Sequence, residues 1–292
     1  MHLRLFLTAL LIFWSLGGLF GPLESVLASD FHSPRTAALG GAGHAGPMLN
    51  DTIYLNPSYA AFSPTYSIGG NYQWFNGPSA GPDQESPYRG HLWNLSIQDG
   101  RSALFQAGVG LTQSSNFRMI HVGAAKSVVR RIGLGIGGKF VFPNDTRKMI
   151  QDGMVSVSGI VSDWLQVVGI VDNMVETPEG RERGLYREFI LGTKINVQGI
   201  VLLYFDPHWV PHLADGPSYG HETGIEFSLM SDLFLRFGAF RNSNLPFEGL
   251  RGRGYGAGIG WIAPKTSFDY GMSRVLSPQP ATAHVVGMTL FF

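Results

Sequence analysis

From residue 66 to the C-terminus, fourteen runs of about 8 to 12 residues carry strand character, a length that suits strands crossing a bilayer at a tilt. They are Tyr66–Phe75, Gly90–Gln98, Ala103–Thr112, Arg118–Val129, Arg131–Phe142, Gly153–Val161, Trp164–Asp172, Leu185–Asn196, Val197–Phe205, Tyr219–Leu229, Leu233–Phe240, Arg253–Ala263, Thr266–Arg274 and Thr282–Phe292. The connections between them alternate. Asn76–Arg89, Gln113–Phe117, Pro143–Asp152, Asn173–Gly184, Asp206–Ser218, Arg241–Gly252 and Val275–Ala281 are the longer set. Asp99–Ser102, Arg130, Ser162–Asp163, Met230–Asp232 and Pro264–Lys265 are the shorter set. An even number of strands, with tight turns on one side and longer loops on the other, is the arrangement of a transmembrane antiparallel barrel. A soluble sandwich has no reason to alternate in this way.

The faces of the runs agree. In Arg131–Phe142, Ile132, Leu134, Ile136, Phe140 and Phe142 oppose Gly133, Gly135, Gly137 and Lys139. In Tyr219–Leu229, Thr223, Ile225, Phe227 and Leu229 oppose Glu222, Gly224, Glu226 and Ser228. In the first run Ile68, Tyr72 and Trp74 oppose Asn71 and Gln73. Side chains alternate across a strand, so each run has one apolar and one polar, glycine-rich face. A soluble barrel turns the apolar face inward. Here the polar face suits a wet or plugged lumen, and the apolar face suits lipid. Val197–Phe205 is apolar on both faces and fits least well. The last run alternates Val286, Met288, Leu290 and Phe292, ending on a terminal aromatic. Such endings resemble the substrates of the bacterial barrel-insertion machinery.

Charged residues make up only 14% of the chain, against roughly 25% in a typical soluble domain. Net charge is zero, so no nucleic-acid partner is expected, and the absence of cysteine excludes disulfides and thiolate metal sites. At the N-terminus Arg4 precedes an apolar stretch from Leu5 to Phe20, and Val26-Leu27-Ala28 offers a cleavage site. Residues 1–28 therefore read as a signal peptide rather than an anchor helix, since the stretch is short of the ~20 residues a span needs. The expected location is the bacterial outer membrane after cleavage near Ala28, with the lipid bilayer, lipopolysaccharide and the barrel-assembly machinery as partners.

Residues 29–65 do not read as strands. Arg35, Leu39-Gly40-Gly41-Ala42-Gly43, Asp51 and Asn56-Pro57 stand in an order that resembles the mature N-terminus of the FadL-type superfamily of outer-membrane proteins, with Ser58 where alanine is usual. That superfamily includes long-chain fatty-acid transporters and barrel subunits of type IX secretion. The resemblance implies a fourteen-stranded barrel over residues 66–292 with residues 29–65 as a lumenal hatch. It implies either passive transport of small hydrophobic molecules or, as the alternative, a barrel that binds and anchors a secreted or envelope protein. The shortness of the chain implies small outer loops.

Other motifs are set aside on context. Gly41–Gly46 and Gly133–Gly138 fit G-x-G-x-x-G, but neither joins a strand to a helix, as dinucleotide binding requires. Gly77–Gly81 fits G-x-S-x-G in a Pro/Gly-rich loop rather than a strand-to-helix turn. His208 and His212 fall in a loop broken by Pro211, and His91, His121, His221 and His284 fall near strand ends, where interface positions suit them. No catalytic constellation, cofactor or metal set is expected. By alternation, Lys139, Glu188, Lys194, Glu222, Glu226, Arg236 and Asp269 point inward. A lumen with both signs favours paired networks over an open selective channel, because isolated buried charges are costly.

Overall fold

The computed structural model describes residues 31–77, 89–146, 148–213, 216–245 and 251–292. Residues 1–28, expected to be a signal peptide, and Pro78–Gly81 of the G-x-S-x-G motif lie outside these residues. Fourteen antiparallel strands close in sequence order into one barrel, β1 pairing with β14. They are β1 (Tyr66–Asn76), β2 (Gly90–Asp99), β3 (Gln106–Ser114), β4 (Phe117–Val129), β5 (Ile132–Pro143), β6 (Ile150–Ile160) and β7 (Leu165–Asp172). The second half is β8 (Glu188–Val197), β9 (Val201–Trp209), β10 (Tyr219–Ser228), β11 (Leu233–Asn244), β12 (Arg251–Ala263), β13 (Thr266–Ser277) and β14 (Ala281–Phe291). Closure satisfies the backbone of every strand within the wall, the condition for crossing hydrocarbon with strands. Among the described residues no helix is long and apolar enough to cross a membrane.

All fourteen strands expected from the sequence are present, with three differences that have physical causes. β9 is shifted: it starts at Val201 after a turn through Gln198 and Gly199, both at positive φ. The apolar character of Val197–Phe205 on both faces hid that turn. The Gln113–Phe117 connection is a tight turn at Ser115–Asn116, whereas the turn expected at Asp99–Ser102 runs from 100 to 105. Long and short therefore exchange places around β3. Leu185 precedes β8 rather than opening it, and packs inside with Phe117, Met119, Val141 and Ile150. The connection between β7 and β8 carries a short helix, α3 (Pro178–Arg181), capped by the Thr177 hydroxyl accepting from Gly180 N.

The two faces part as the alternation requires. Leu134, Ile136, Val157, Leu191, Phe205 and Phe237 are exposed outward, while Lys139, Ser156, Ser158, Asp206, Glu226 and Arg236 are buried inward. On a soluble protein this exterior would be a single aggregation-prone patch; against lipid it is the matched surface. Aromatic residues gather at both rims. Tyr72, Trp74 and Trp93 cluster at the end with the longer connections, where Trp74 stacks on His284 at 5.2 Å. Trp261 and Phe268 stack at the other end, and the Phe292 ring lies 5.9 Å from that of Tyr66. These are the girdles expected at two membrane–water interfaces.

Residues 31–65 lie inside the barrel. They form α1 (Pro34–Ala38), a 3-10 turn at Leu49–Asp51, α2 (Thr52–Leu55) and a second 3-10 turn at Pro57–Phe62. Ser33 caps α1 by accepting from Thr36 N at 3.1 Å, and Pro34 occupies the first turn, where it sacrifices no hydrogen bond. A fourteen-strand lumen is too wide for wall side chains to fill, and this segment fills much of it.

Candidate functional site: the seat of the N-terminal segment

The wall makes room for the segment by omitting side chains. A Cβ on Gly238 would lie 2.0 Å from Leu39 C, one on Gly256 2.1 Å from Ala37 O, and one on Gly271 2.0 Å from Pro34 O. On the opposite wall a Cβ on Gly135 would lie 2.1 Å from Ser58 N. The alternate glycines of β5 and β12 are therefore the floor on which a folded segment rests. The segment's own turn follows α1, where Gly40 and Gly41 have φ of 65° and 91°, a left-handed path that disfavours any side chain.

Polar contacts pin the segment at discrete points. Arg35 donates from Nε to Glu226 Oε2 at 3.1 Å and from Nη2 to the Tyr204 hydroxyl at 2.7 Å. Glu226 also accepts from Arg236 Nε at 2.5 Å, and Arg236 Nη1 reaches Asp269 Oδ1 at 2.5 Å. Asp51 accepts from Ser33 Oγ at 2.9 Å and faces the same network across a small cavity lined by Arg35, Arg236 and Asp269. Asn56 donates to Ser158 Oγ and to His44 O, both at 2.8 Å, and Ser58 N donates to Ser156 Oγ at 3.0 Å. Pro57 sits over Gly123 and Gly137, within 3.6 Å of where their Cβ atoms would lie. Gly43 N and His44 N both donate to Asp206 Oδ2, at 2.7 and 3.0 Å.

The remaining inward charges resolve into separate groups. Lys139 of β5 donates to Asp172 Oδ2 of β7 at 2.6 Å, a pair between two wall strands. Glu188 accepts from Arg251 Nη2 at 2.6 Å. Glu222 accepts from the Ser243 hydroxyl. Lys194 lays its aliphatic stem where a side chain at Gly46 would stand, Cδ being 2.5 Å from that Cβ. Arg35, Glu226, Arg236 and Asp269 thus form one chain of ion pairs, while Lys139, Glu188, Lys194 and Glu222 stand apart from it.

Three of these placements differ from the sequence reading. His208 is a buried residue of β9, not a loop residue, with Nε2 3.1 Å from Asn242 O; His212, exposed, pairs instead with Glu176 at 2.9 Å. His121 is buried within the lumen, its ring 5.1 Å from that of Tyr54, not at an interface. Asp206, which the sequence assigns to a connection because the apolar run ends at Phe205, is a fully buried inward residue of β9. The turn at Gln198-Gly199, once recognised, would have moved β9 forward and exposed both Asp206 and His208 as inward positions.

Asp51 belongs to the N-terminal segment, not to a spanning strand. Burial raises its pKa to about 6, against the opposing pull of Arg35 and the Ser33 hydrogen bond. An acid whose folded pKa is raised binds its proton more tightly when folded, so its contribution is fully present below about 3.8 and is lost as pH rises to about 6. Asp51→Asn should abolish that dependence. The urea midpoint of the wild type should fall relative to Asp51→Asn between pH 4 and pH 6; parallel curves across that window would contradict the assignment.

No protein-family model and no curated protein matches this chain. Solved structures do. A mutant of the monoaromatic hydrocarbon channel TodX superposes with a TM-score of 0.64 at 12% identity, covering 90% of this chain and 99% of that one. The monoaromatic hydrocarbon channel CymD gives 0.65 at 10% identity over 90% and 98%, respectively. The toluene transporter TbuX of Ralstonia pickettii gives 0.64 at 10% identity over 90% and 99%. At these identities the likeness is one of fold, and nearly the whole of each barrel takes part in it. The chain is a closed fourteen-strand barrel of the fold those channels have.

Proposed function

We propose that this protein is a FadL-type outer-membrane channel for passive movement of small hydrophobic molecules, with residues 31–65 as its hatch. The observation that carries the reading is the division of the lumen. Its outer half holds two apolar clusters, Phe75 with Phe240, Leu245 and Val275, and Phe117 with Met119, Val141 and Leu185. Its middle is closed by a segment held through separate polar contacts. An apolar solute arriving from outside meets matching surface first and the hatch second. Two cavities flanking the segment, lined by described residues, are about 40 Å³ each, well below the ~150 Å³ of a cavity known to admit benzene. On this reading a solute passes when the hatch shifts. The fold shared with hydrocarbon channels supports the same reading, and no feature of the described residues favours the partner-binding alternative. The channel role calls for no catalytic group.

Location and assembly follow from this reading. The mature chain should begin near Ser29 and fractionate with the outer membrane, as mass spectrometry of the native protein would record; an intact segment 1–28 in the inner membrane would overturn the reading. Phe292 closes the seam, its N–H donating to Tyr66 O at 3.0 Å, while its ring is exposed. Its deletion removes one hydrogen bond and little burial, so refolding in detergent should be nearly unchanged. Assembly in cells should fall several-fold if the terminal aromatic is what the insertion machinery recognises. Equal cellular assembly of the truncated chain would remove that role.

The test of transport is uptake of a monoaromatic hydrocarbon by cells lacking other such channels, with and without this protein. Faster uptake supports the channel. Identical rates with the barrel present and folded would refute it.

A further inference from the structure

The most unusual chemistry in the lumen lies where the hatch meets β9 and β10. His44 Nδ1 stands 2.9 Å from Asp206 Oδ2 and 3.7 Å from Glu222 Oε2, and all three ligand atoms lie within 4.8 Å of one another. Bonds of about 2.0–2.1 Å in a tetrahedral site place ligand atoms roughly 3.3–3.4 Å apart. The two distances measured from His44 bracket that value. All three side chains are buried.

A further observation points to a ligand here. Among the described residues nothing donates to the buried Glu222 Oε2, although its other oxygen is satisfied by Ser243. A buried carboxylate oxygen without a donor is costly.

We propose that His44, Asp206 and Glu222 form a binding site for a divalent transition-metal ion of the zinc type, fastening the hatch to the outer half of the wall. Mixed imidazole and carboxylate ligands suit zinc, cobalt or iron, whereas calcium and magnesium take oxygen-only sites of higher coordination. Asp206 is preorganised for the role, because Gly43 N and His44 N fix its Oδ2. The ion replaces the proton that His44 Nδ1 shares with Asp206, and that proton leaves to solvent. The adjoining cavity, lined by His208 and Glu188, leaves the fourth position to water or to one of those groups. Gly41 is required for the geometry, since a Cβ there would lie 2.8 Å from Glu222 Oε1. The sequence alone gives no hint of the set, because His44 and Asp206 are 162 residues apart. The site stands on this geometry and is independent of what the barrel transports.

The experiment uses the mature protein in detergent, dialysed against a chelator and titrated with cobalt(II), followed by competition with zinc(II). The expected result is one equivalent of cobalt with visible d–d absorption, displaced by zinc and unaffected by excess magnesium. His44→Ala and Glu222→Gln should each weaken binding at least tenfold, whereas His212→Ala, at the exposed pair with Glu176, should bind as the wild type does. Glu222→Gln is isosteric and decides the matter if His44→Ala does not fold. Absence of the absorption band in the wild type, or undiminished binding in Glu222→Gln, would overturn the site.

Discussion

Leucine in place of Gly238 will open the barrel. The wall at this position touches the backbone of Leu39 and Gly40, and an added Cβ would lie 2.0 Å from Leu39 C and 2.5 Å from Gly40 N. A leucine side chain cannot be accommodated by a rotamer change, because the obstacle is main chain and the turn at Gly40 is already confined to positive φ. The strand, paired on both sides, is the more rigid partner, so the hatch gives way. In planar bilayers the wild type is expected to conduct little, and Gly238→Leu to conduct in steps larger by an order of magnitude or more. Gly70→Leu is the matched control: nothing lies within 4 Å of its Cβ, and its conductance should be that of the wild type. If Gly238→Leu assembles into a heat-modifiable barrel and remains closed, the segment is not what closes the lumen.

Replacing Glu226 by alanine will cost more stability than any other single substitution in the lumen. Its carboxylate joins Arg35 of the hatch to Arg236 of β11, and all three are buried, at 2%, 4% and 1% exposure. Removing one partner of a buried ion pair leaves uncompensated charge at a cost of about 3–5 kcal/mol. Here two guanidinium groups lose the same partner; Arg236 retains Asp269, and Arg35 retains its hydrogen bond to the neutral Tyr204 hydroxyl, with Asp51 across the small cavity. Unfolding in urea should shift accordingly, and conductance should rise as Arg35 is released. Arg35→Ala, which removes the hatch end of the same link, should also raise conductance while destabilising less. A Glu226→Ala barrel as stable as the wild type would mean that water reaches this network and screens it.

Much of this architecture can be read from the chain, and the reason is physical. A wall one residue thick, with lipid on one side and a polar segment on the other, imposes a strict two-residue period on nearly every strand. Ile132, Leu134 and Ile136 against Gly133, Gly135 and Gly137 could not be placed otherwise. Where the period fails, so does the reading. Val197–Phe205 is apolar on both faces, and its true boundary depends on a turn at Gln198, a residue seldom found at positive φ. The shift hid Asp206 and His208, the wall's contribution to the cluster around His44. Inward charges such as Arg236 and Glu226 are legible from alternation, but their partners are not. Arg35 and Glu226 are separated by 191 residues, and only the closed barrel decides that β10 passes beside α1. The glycines teach the same lesson: alternation marks Gly135 as inward, and only the folded hatch explains why it carries no side chain.

On the proposed function, a hydrophobic solute crosses the outer membrane through this barrel by displacing residues 31–65. Ser58 offers a direct test, because its hydroxyl oxygen lies 2.7 Å from that of Ser158 on β6, so two near-isosteric cysteines there place their sulfurs within reach of a disulfide. The chain has no cysteine of its own, so Ser58→Cys with Ser158→Cys forms a single defined lock. Uptake of a monoaromatic hydrocarbon should be measured in cells carrying the wild type, the oxidised pair and the pair after reduction. Uptake should be fast in the wild type, slow when locked and restored on reduction. Uptake at the rate of cells without the protein, or uptake indifferent to the lock in a folded barrel, would contradict it.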